Sequence, residues 1–194
     1  MGGSGAILPN MSLGDDGQTK GLRAVAHPVR LQILSLLTGA EMSATEIARE
    51  LDITQANASY HVRVLASAAL VVEAGTESIR GGMAKRYRHP WQDGSGQEGA
   101  RPAGDVSGFI EAMTSELLRR LAFRDTTMSQ TNCDAEVWVD PRVWGQVRSM
   151  VAEAAVLLHQ SARPPRTEGT VHVSMTTALF TMNDRNKTAP ETSR

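Results

Sequence analysis

The spacing of apolar residues between positions 43 and 66 predicts two short helices joined by a turn. In each helix the apolar side chains recur every three or four residues, which places them on one face. These positions are Ile47, Ala48 and Leu51 in the first helix and Ala58, Val62 and Leu65 in the second. One buried face on each of two consecutive short helices is typical of a helix-turn-helix.

Polar residues mark where both helices begin. Ser43, followed three residues later by Glu46, predicts a capping box at the start of the first helix. Thr54 is the predicted N-cap of the second helix, because its hydroxyl can accept from backbone N–H groups two or three residues later. Asp52 and Ile53 lie between the two helices and are predicted to form the tight turn.

The second helix, predicted from Thr54 to Ala66, carries polar groups outside its apolar stripe. Amide, hydroxyl, imidazole and guanidinium groups can hydrogen-bond base edges and phosphates, which favours a DNA recognition helix. The residues predicted to read bases are Gln55, Asn57, Ser59, Tyr60 and His61, and Arg63 is predicted to contact phosphate.

A basic hairpin is predicted after this helix. Leu70–Glu73 is a candidate strand, residues 74–83 contain three glycines that favour a reversal, and Ala84–Arg88 is the candidate returning strand. Its cations, which are predicted to contact phosphates, are Arg80, Lys85, Arg86 and Arg88. A basic ribbon beside a recognition helix is typical of a winged helix, and its DNA affinity would depend on salt. The alternative is a solvated surface hairpin.

Several segments resemble the ArsR-type winged helix-turn-helix repressors. LRAVAHPVRLQILSLL at Leu22–Leu37 resembles the opening helix pair of that family, with an Ala-x-Pro-x-Arg step before an apolar helix. SYHVRVL at Ser59–Leu65 resembles its recognition helix, ALVVEA at Ala69–Ala74 its first wing strand, and RGGMAKRYR at Arg80–Arg88 a wing with an Arg-Gly pair. The resemblance covers residues 20–90 and implies a winged fold that binds double-stranded DNA and pairs through the helix after the wing.

The metal sites that the resemblance would imply have few ligands in this chain. Many members of the family bind metal through paired cysteines on the first helix of the helix-turn-helix, and residues 42–48 contain none. Another family site uses acidic and histidine residues on the dimer helix, which here offers Asp105, Glu111 and Glu116 but no histidine. Zinc and arsenic favour thiolate and imidazole ligands. We therefore expect no metal site and no cofactor.

Charge is distributed unevenly along the 194 residues. The net charge is −1, but nine Lys and Arg against six Asp and Glu give residues 20–90 a balance of +3, which leaves −4 for the remainder. The segment expected to meet DNA is thus the basic one. No apolar run is long enough to span a bilayer, so no membrane partner is expected. The single cysteine, Cys133, fits a reducing cytoplasm.

The chain after the wing is predicted to form a linker, a helix and a small strand-helix-strand unit. The helix from Val106 to Phe123 is the predicted dimer interface, although its apolar stripe could instead pack on its own domain. Two strands, AEVWV at 135–139 and residues 171–182, flank a helix that Asp140 caps and Pro141 begins. This unit is too small to stand alone, so we expect it to pack against the Val106 helix or a partner subunit.

These patterns predict an α+β protein and a division into five parts. They are a flexible N-terminal arm (1–19), a winged helix-turn-helix domain (20–90), a linker (91–104), a C-terminal dimerisation and effector unit (105–183) and a flexible tail (184–194). If a small-molecule effector exists, it would lie in apolar space lined by Trp138, Trp144 and Phe180.

The predicted function is a cytoplasmic, homodimeric transcriptional repressor that binds a pseudo-palindromic operator. No catalytic motif is present, so no enzyme activity is expected. Two alternatives remain: a winged helix that binds protein, for which only Tyr60 and Tyr87 offer aromatic anchors, and a redox-responsive regulator that switches through Cys133.

Overall fold

The computed structural model describes residues 15–79, 82–90 and 106–183. Their regular structure consists of helices and one small antiparallel sheet, which confirms the predicted α+β class and winged helix-turn-helix architecture. The elements are α1 (Asp15–Val25), α2 (Pro28–Gly39), β1 (Met42–Ser43), α3 (Ala44–Leu51), α4 (Gln55–Ser67), β2 (Val72–Ile79), β3 (Gly82–Arg88), α5 (Ser107–Leu121) and α6 (Pro141–Ser161). The predicted linker and tail lie outside the described residues. Helix α1 begins at Asp15, inside the segment predicted as a flexible arm.

Helices α1 to α4 surround one apolar core. The positions predicted to face inward on α3 and α4 are buried, except that Leu51 is half-buried. The least exposed apolar residues are Val25, Ile33, Leu37, Ile47, Ala58, Val62, Leu65, Leu70 and Val71. Shortening a large side chain in such a core to alanine costs about 2–5 kcal/mol, so these residues fix how the helices pack.

The sheet has the order β1-β3-β2, and both of its strand pairs are antiparallel. β2 extends to Ile79 and β3 begins at Gly82, so most of the predicted reversal at 74–83 lies in the two strands, and residues 80–81 lie outside the described residues. Gly75 therefore lies in a strand, with φ +153° where the register shifts between Glu73 and Gly75. Such a bulge suits glycine, which tolerates positive φ.

Helix α5 packs on the winged domain through one face. Its bounds lie within two residues of the predicted ones at each end. Ala112 and Glu116 are buried against the domain, where the Glu116 carboxylate accepts from Gln32 Nε2 at 2.6 Å and pairs with Arg119 at 2.9 Å. A buried carboxylate needs such partners because an unpaired buried charge is costly. This contact holds α5 on α2.

Helix α6 begins as predicted and returns to the winged domain at its far end. The Asp140 carboxylate accepts from the Arg142 N–H at 2.8 Å, and Pro141 is the first helical residue. Beyond α6, the Arg163 backbone passes so close to Gly39 that a Cβ there would lie 2.6 Å from the Arg163 carbonyl oxygen.

The two strands predicted beside α6 are absent from the described structure. Residues 135–139 and 171–182 have no strand assignment, and nearly all of their residues are exposed. The alternating pattern was local evidence for extended backbone, but a strand also needs a neighbour to accept and donate its hydrogen bonds. The described part of this chain supplies no such neighbour to either segment.

Candidate nucleic-acid interface

The capping box predicted for α3 is present, and its Glu46 carboxylate also accepts from Arg86 of the sheet. The Ser43 hydroxyl accepts from the Glu46 N–H at 3.3 Å, and the Glu46 carboxylate accepts from the Ser43 N–H at 2.7 Å. Burial alone would raise the pKa of Glu46, but hydrogen bonds from Ser43 and the nearby Arg86 guanidinium lower it overall. Glu46 is therefore held as a carboxylate where α3 meets the wing.

The turn that aims α4 is fixed by local backbone conformation. Asp52 ends α3 in the left-handed region (φ 52°, ψ 47°), and the Ile53 N–H donates to the Ala48 carbonyl at 3.0 Å. The Thr54 hydroxyl then accepts from the Asn57 N–H at 3.2 Å, which confirms the predicted N-cap. The two helices of the helix-turn-helix are thus joined by a defined turn.

Four of the residues assigned to DNA on α4 are exposed. Gln55, Asn57, Tyr60 and Arg63 face solvent, whereas Ser59 is half-buried. The Arg63 Nε donates to the Ser59 carbonyl at 3.2 Å, which holds the guanidinium along the helix surface. The exposed set combines two amides, a phenol and a guanidinium, which can donate to and accept from base edges and phosphates. Their contacts with DNA remain predictions.

The assignment of His61 to base reading is contradicted by its burial. Its side chain is only 5% exposed and lies against His27, with ring centroids 4.6 Å apart. Burial lowers its pKa, and the charges of His27 and Arg30 lower it further. Position 61 is three residues after Ala58 and four before Leu65, so helical spacing places it on the inward stripe. Residue type suggested a DNA contact, but spacing decides the orientation.

Arg30 lies beside the buried histidines, near the start of α2. As the arginine of the Ala-x-Pro-x-Arg step, it is a candidate either for positioning the helix pair or for a buried ion pair. Its Nη2 donates to the Arg23 carbonyl at 3.1 Å, and its buried Nε has no hydrogen-bond partner in the structure. This hydrogen bond to the backbone favours a role for Arg30 in positioning the helix pair.

Arg86 was predicted to contact phosphate, but its guanidinium is engaged within the protein. It donates to the Glu46 and Glu77 carboxylates and to the Glu41 carbonyl. The Glu46 pair measures 3.1 Å, and the Arg86 side chain is only 26% exposed. These contacts tie β3 to β2 and to the start of α3. No local pattern in the sequence indicates these contacts, because the partners lie 9 to 45 residues away.

The other wing cations differ in their surroundings. Lys85 pairs with Glu73 at 2.6 Å, and both side chains are more than half exposed. This hydrogen bond and the carboxylate charge raise the pKa of Lys85. Arg88 lies half-buried at the end of β3, opposite Val72. Arg80 lies outside the described residues. Lys85 is thus the wing cation that the structure places openly at the surface.

Two of the three residues predicted to line an effector pocket are largely exposed in this chain. Trp138 is 87% exposed, Phe180 is 70% exposed and Trp144 is half-buried. The predicted pocket depended on two strands packing beside α6, and those strands are absent from the described structure. The effector pocket stays a prediction, which the exposure of Trp138 and Phe180 does not support.

The described residues offer neither a membrane span nor a cluster of metal ligands. No helix among them is both long and apolar enough to cross a membrane. The same residues contain no group of three or more His, Cys, Asp or Glu side chains placed to hold a metal ion. Cys133 is exposed.

Comparison with known proteins identifies the core of this site. Residues 25–74 match the family model of a helix-turn-helix domain. This span contains α2, α3 and α4, so the match and the fold together support a DNA-binding transcription regulator. No curated protein matched the chain significantly.

Two solved structures of HlyU from Vibrio cholerae are similar to part of the chain. The reduced form is 24% identical and covers 56% of this chain and 92% of its own, with a TM-score of 0.32. A second HlyU structure is 24% identical and covers 59% of this chain and 100% of its own, with a TM-score of 0.33. Both scores are too low for these structures to inform the function of this chain.

Proposed function

We propose that this chain is a homodimeric transcriptional repressor of the ArsR type that binds a pseudo-palindromic operator in double-stranded DNA. The observation that carries the proposal is the exposed polar face of α4, within a matched helix-turn-helix domain and beside a two-stranded hairpin. The proposed function is DNA binding, without catalysis.

Sequence would be read from the first two turns of α4. In helix-turn-helix proteins the N-terminal residues of the recognition helix contact base edges. Gln55, Asn57 and Tyr60 are exposed there, and amide side chains can pair with adenine through two hydrogen bonds. Arg63, one turn beyond Tyr60, and Lys85 on the wing are the proposed phosphate contacts. We leave His61 and Arg86 out of this set, because His61 is buried and the Arg86 guanidinium is engaged within the protein.

A second copy would pack on the exposed face of α5. The face opposite Ala112 and Glu116 presents Ile110, Leu117 and Leu121, which recur after seven and four residues and are all more than a third exposed. The predicted dimer helix thus uses one face for its own domain and keeps another apolar face for a partner. A two-fold dimer implies half-sites about one helical turn of DNA apart, or a multiple of it.

A small-molecule effector would act by thermodynamic linkage between its own binding and DNA binding. A small molecule would release the operator if it bound the DNA-incompetent state more tightly than the competent one.

The proposal is tested by DNA binding of the full chain at about 50 and 200 mM salt. Fragments of the DNA upstream of its own coding sequence are compared with unrelated DNA by fluorescence anisotropy. Arg63→Ala should weaken binding to all sequences and reduce the salt slope by about 1. Asn57→Ala should cost about 1–3 kcal/mol and relax preference at one base pair.

Arg148→Ala is the matched control, because it removes the same exposed charge from α6, away from the proposed interface. It should leave the salt slope unchanged. Weak binding without preference for any fragment, unaltered by Asn57→Ala and Arg63→Ala, would contradict the proposal and favour a winged helix that binds protein.

A further inference from the structure

Two segments that flank α6 in the sequence have backbones without a pairing partner in the described part of the chain. We call residues 135–139 the upstream segment and residues 171–182 the downstream segment. Neither makes a backbone–backbone hydrogen bond within the described residues. Backbone donors and acceptors in extended apolar segments are normally paired in a sheet.

Large apolar side chains of both segments are exposed. In the downstream segment Val171, Val173 and Met175 alternate along the backbone, as they would on one face of a strand. The exposed residues of the two segments are Val137, Trp138, Val139, Val171, Val173, Met175, Leu179, Phe180 and Met182. Monomeric proteins rarely expose this many large apolar residues in neighbouring positions.

Helix α6 carries a third unpartnered surface. It packs on its own chain through Ala152 and Ala155, which are buried. Another face exposes Val143, Val147, Met150 and Leu157, which are spaced by four, three and seven residues. That spacing gives an apolar seam suited to packing against another helix or a sheet.

We propose that a second copy of this chain completes the C-terminal unit. The upstream and downstream segments of two copies pair as strands of one sheet, and the exposed seams of the two α6 helices cover it. This interface is separate from the one proposed on α5. The inference rests on the proposed homodimer only in taking the partner to be a second copy of this chain.

The composition of the downstream segment favours a copy of itself as the occupant. It contains no Lys, Arg, Asp, Glu or Pro, the residues with which proteins block the edges of strands. Two such segments can meet across a two-fold axis without like-charge repulsion, and each supplies the other with backbone partners. A nucleic acid would instead require cations, which the segment lacks.

The size of the surface is adequate for a stable dimer. Covered aromatic side chains bury about 150–250 Å² each, and stable interfaces bury about 800 Å² per partner. Two aromatics, seven aliphatic or methionine side chains of the segments and the four seam residues are available. A surface of this size is comparable to that of obligate dimers.

The test measures self-association of the full chain, without DNA, by sedimentation velocity over about 1–100 μM protein. Val173→Lys places a charge on the alternating apolar positions, and we expect it to weaken dimerisation by on the order of a hundredfold. Ser174→Lys is the matched control, because it introduces the same charge one residue along, on the opposite side of the strand. It should leave association within about threefold of the unmodified chain. Both positions are exposed, so neither change should unfold the chain.

Amide hydrogen exchange provides a second measurement. The amides of residues 171–182 should exchange slowly in the dimer, and Val173→Lys should make their exchange fast while α2 and α4 stay protected. A chain that remains monomeric overturns the proposal, as does a dimer that Val173→Lys leaves intact with unprotected 171–182 amides. In the latter case Leu117→Lys tests α5 as the sole interface. Because no DNA is present, either result leaves the DNA-binding proposal to its own test.

Discussion

Replacing Arg86 by alanine is expected to destabilise the winged domain, whereas a cation that only binds phosphate could be removed without loss of stability. The Arg86 guanidinium joins three elements through the Glu46 and Glu77 carboxylates and the Glu41 carbonyl. Removing it would leave the carboxylates without their cation and would remove the side-chain contact between β3 and the start of α3, where the backbone pairing of β1 with β3 remains. The expected loss in the free energy of unfolding is about 2 kcal/mol.

That magnitude follows from the exposure of the three contacts. Glu46 and Glu77 are 36% and 53% exposed, so solvent screening limits each ion pair to about 0.5–1 kcal/mol. The hydrogen bond to the Glu41 carbonyl adds about 1 kcal/mol. Arg86→Lys keeps the charge but has no planar fork with which to reach three partners at once, so it should recover only part of the loss.

Urea unfolding followed by far-ultraviolet circular dichroism measures this effect. A loss of 2 kcal/mol should lower the midpoint by about 1 M, since the dependence on urea is about 1–3 kcal/mol/M. Lys85→Ala is the control, because this neighbouring cation makes one exposed ion pair and should leave the midpoint unchanged. The reasoning is refuted if Arg86→Ala unfolds at the same urea concentration as the unmodified chain while its DNA affinity falls.

Two further predictions concern the contact between α6 and the winged domain. Burial and the nearby His159 lower the pKa of His89 to about 4, so the folded chain holds His89 neutral. Unfolded chains bind this proton near pH 6.5, so the full stability is present above that pH. The free energy of unfolding falls by up to about 3 kcal/mol as the pH drops toward 4. His89→Gln should make the urea midpoint depend less on pH between about 6.5 and 4. Gly39→Ala should displace the Arg163 backbone and accelerate amide exchange near residue 163, whereas Gly145→Ala, with open space around its Cβ, should not.

Features decided within one turn of helix could be predicted from the sequence. The Ser43–Glu46 capping box, the Thr54 cap and the Asp140 cap each depend on residues two or three positions apart, and all are present. The apolar stripes of α3 and α4 follow from the 3.6-residue period in the same way. These local signals were sufficient to place the helix-turn-helix.

Features decided by distant residues could not be predicted in this way. Arg86 finds its partners across the sheet, and charge alone could not distinguish such a contact from a phosphate ligand. His61 was misassigned from its chemistry, although its position on the inward stripe was available as a signal. The segments 135–139 and 171–182 have the pattern of strands but no partner in the described chain, and a sequence pattern cannot say where a partner comes from.

Contacts with α2, the end of β3 and α3 connect the C-terminal unit to the recognition helix α4. The far end of α6 meets α2 where Arg163 passes Gly39, and it meets the end of β3 where His159 lies near His89. The residues just after α6 also contact α3, because Arg166 pairs with Glu50 at 2.9 Å. Helix α3 is joined to α4 by a fixed turn, so a displacement of α6 would be passed to the helix proposed to enter DNA. If two copies join through their C-terminal units, these contacts set the distance between the two recognition helices. The C-terminal unit would then determine both dimerisation, through its exposed surface, and the spacing of operator half-sites, through its contacts with the winged domain.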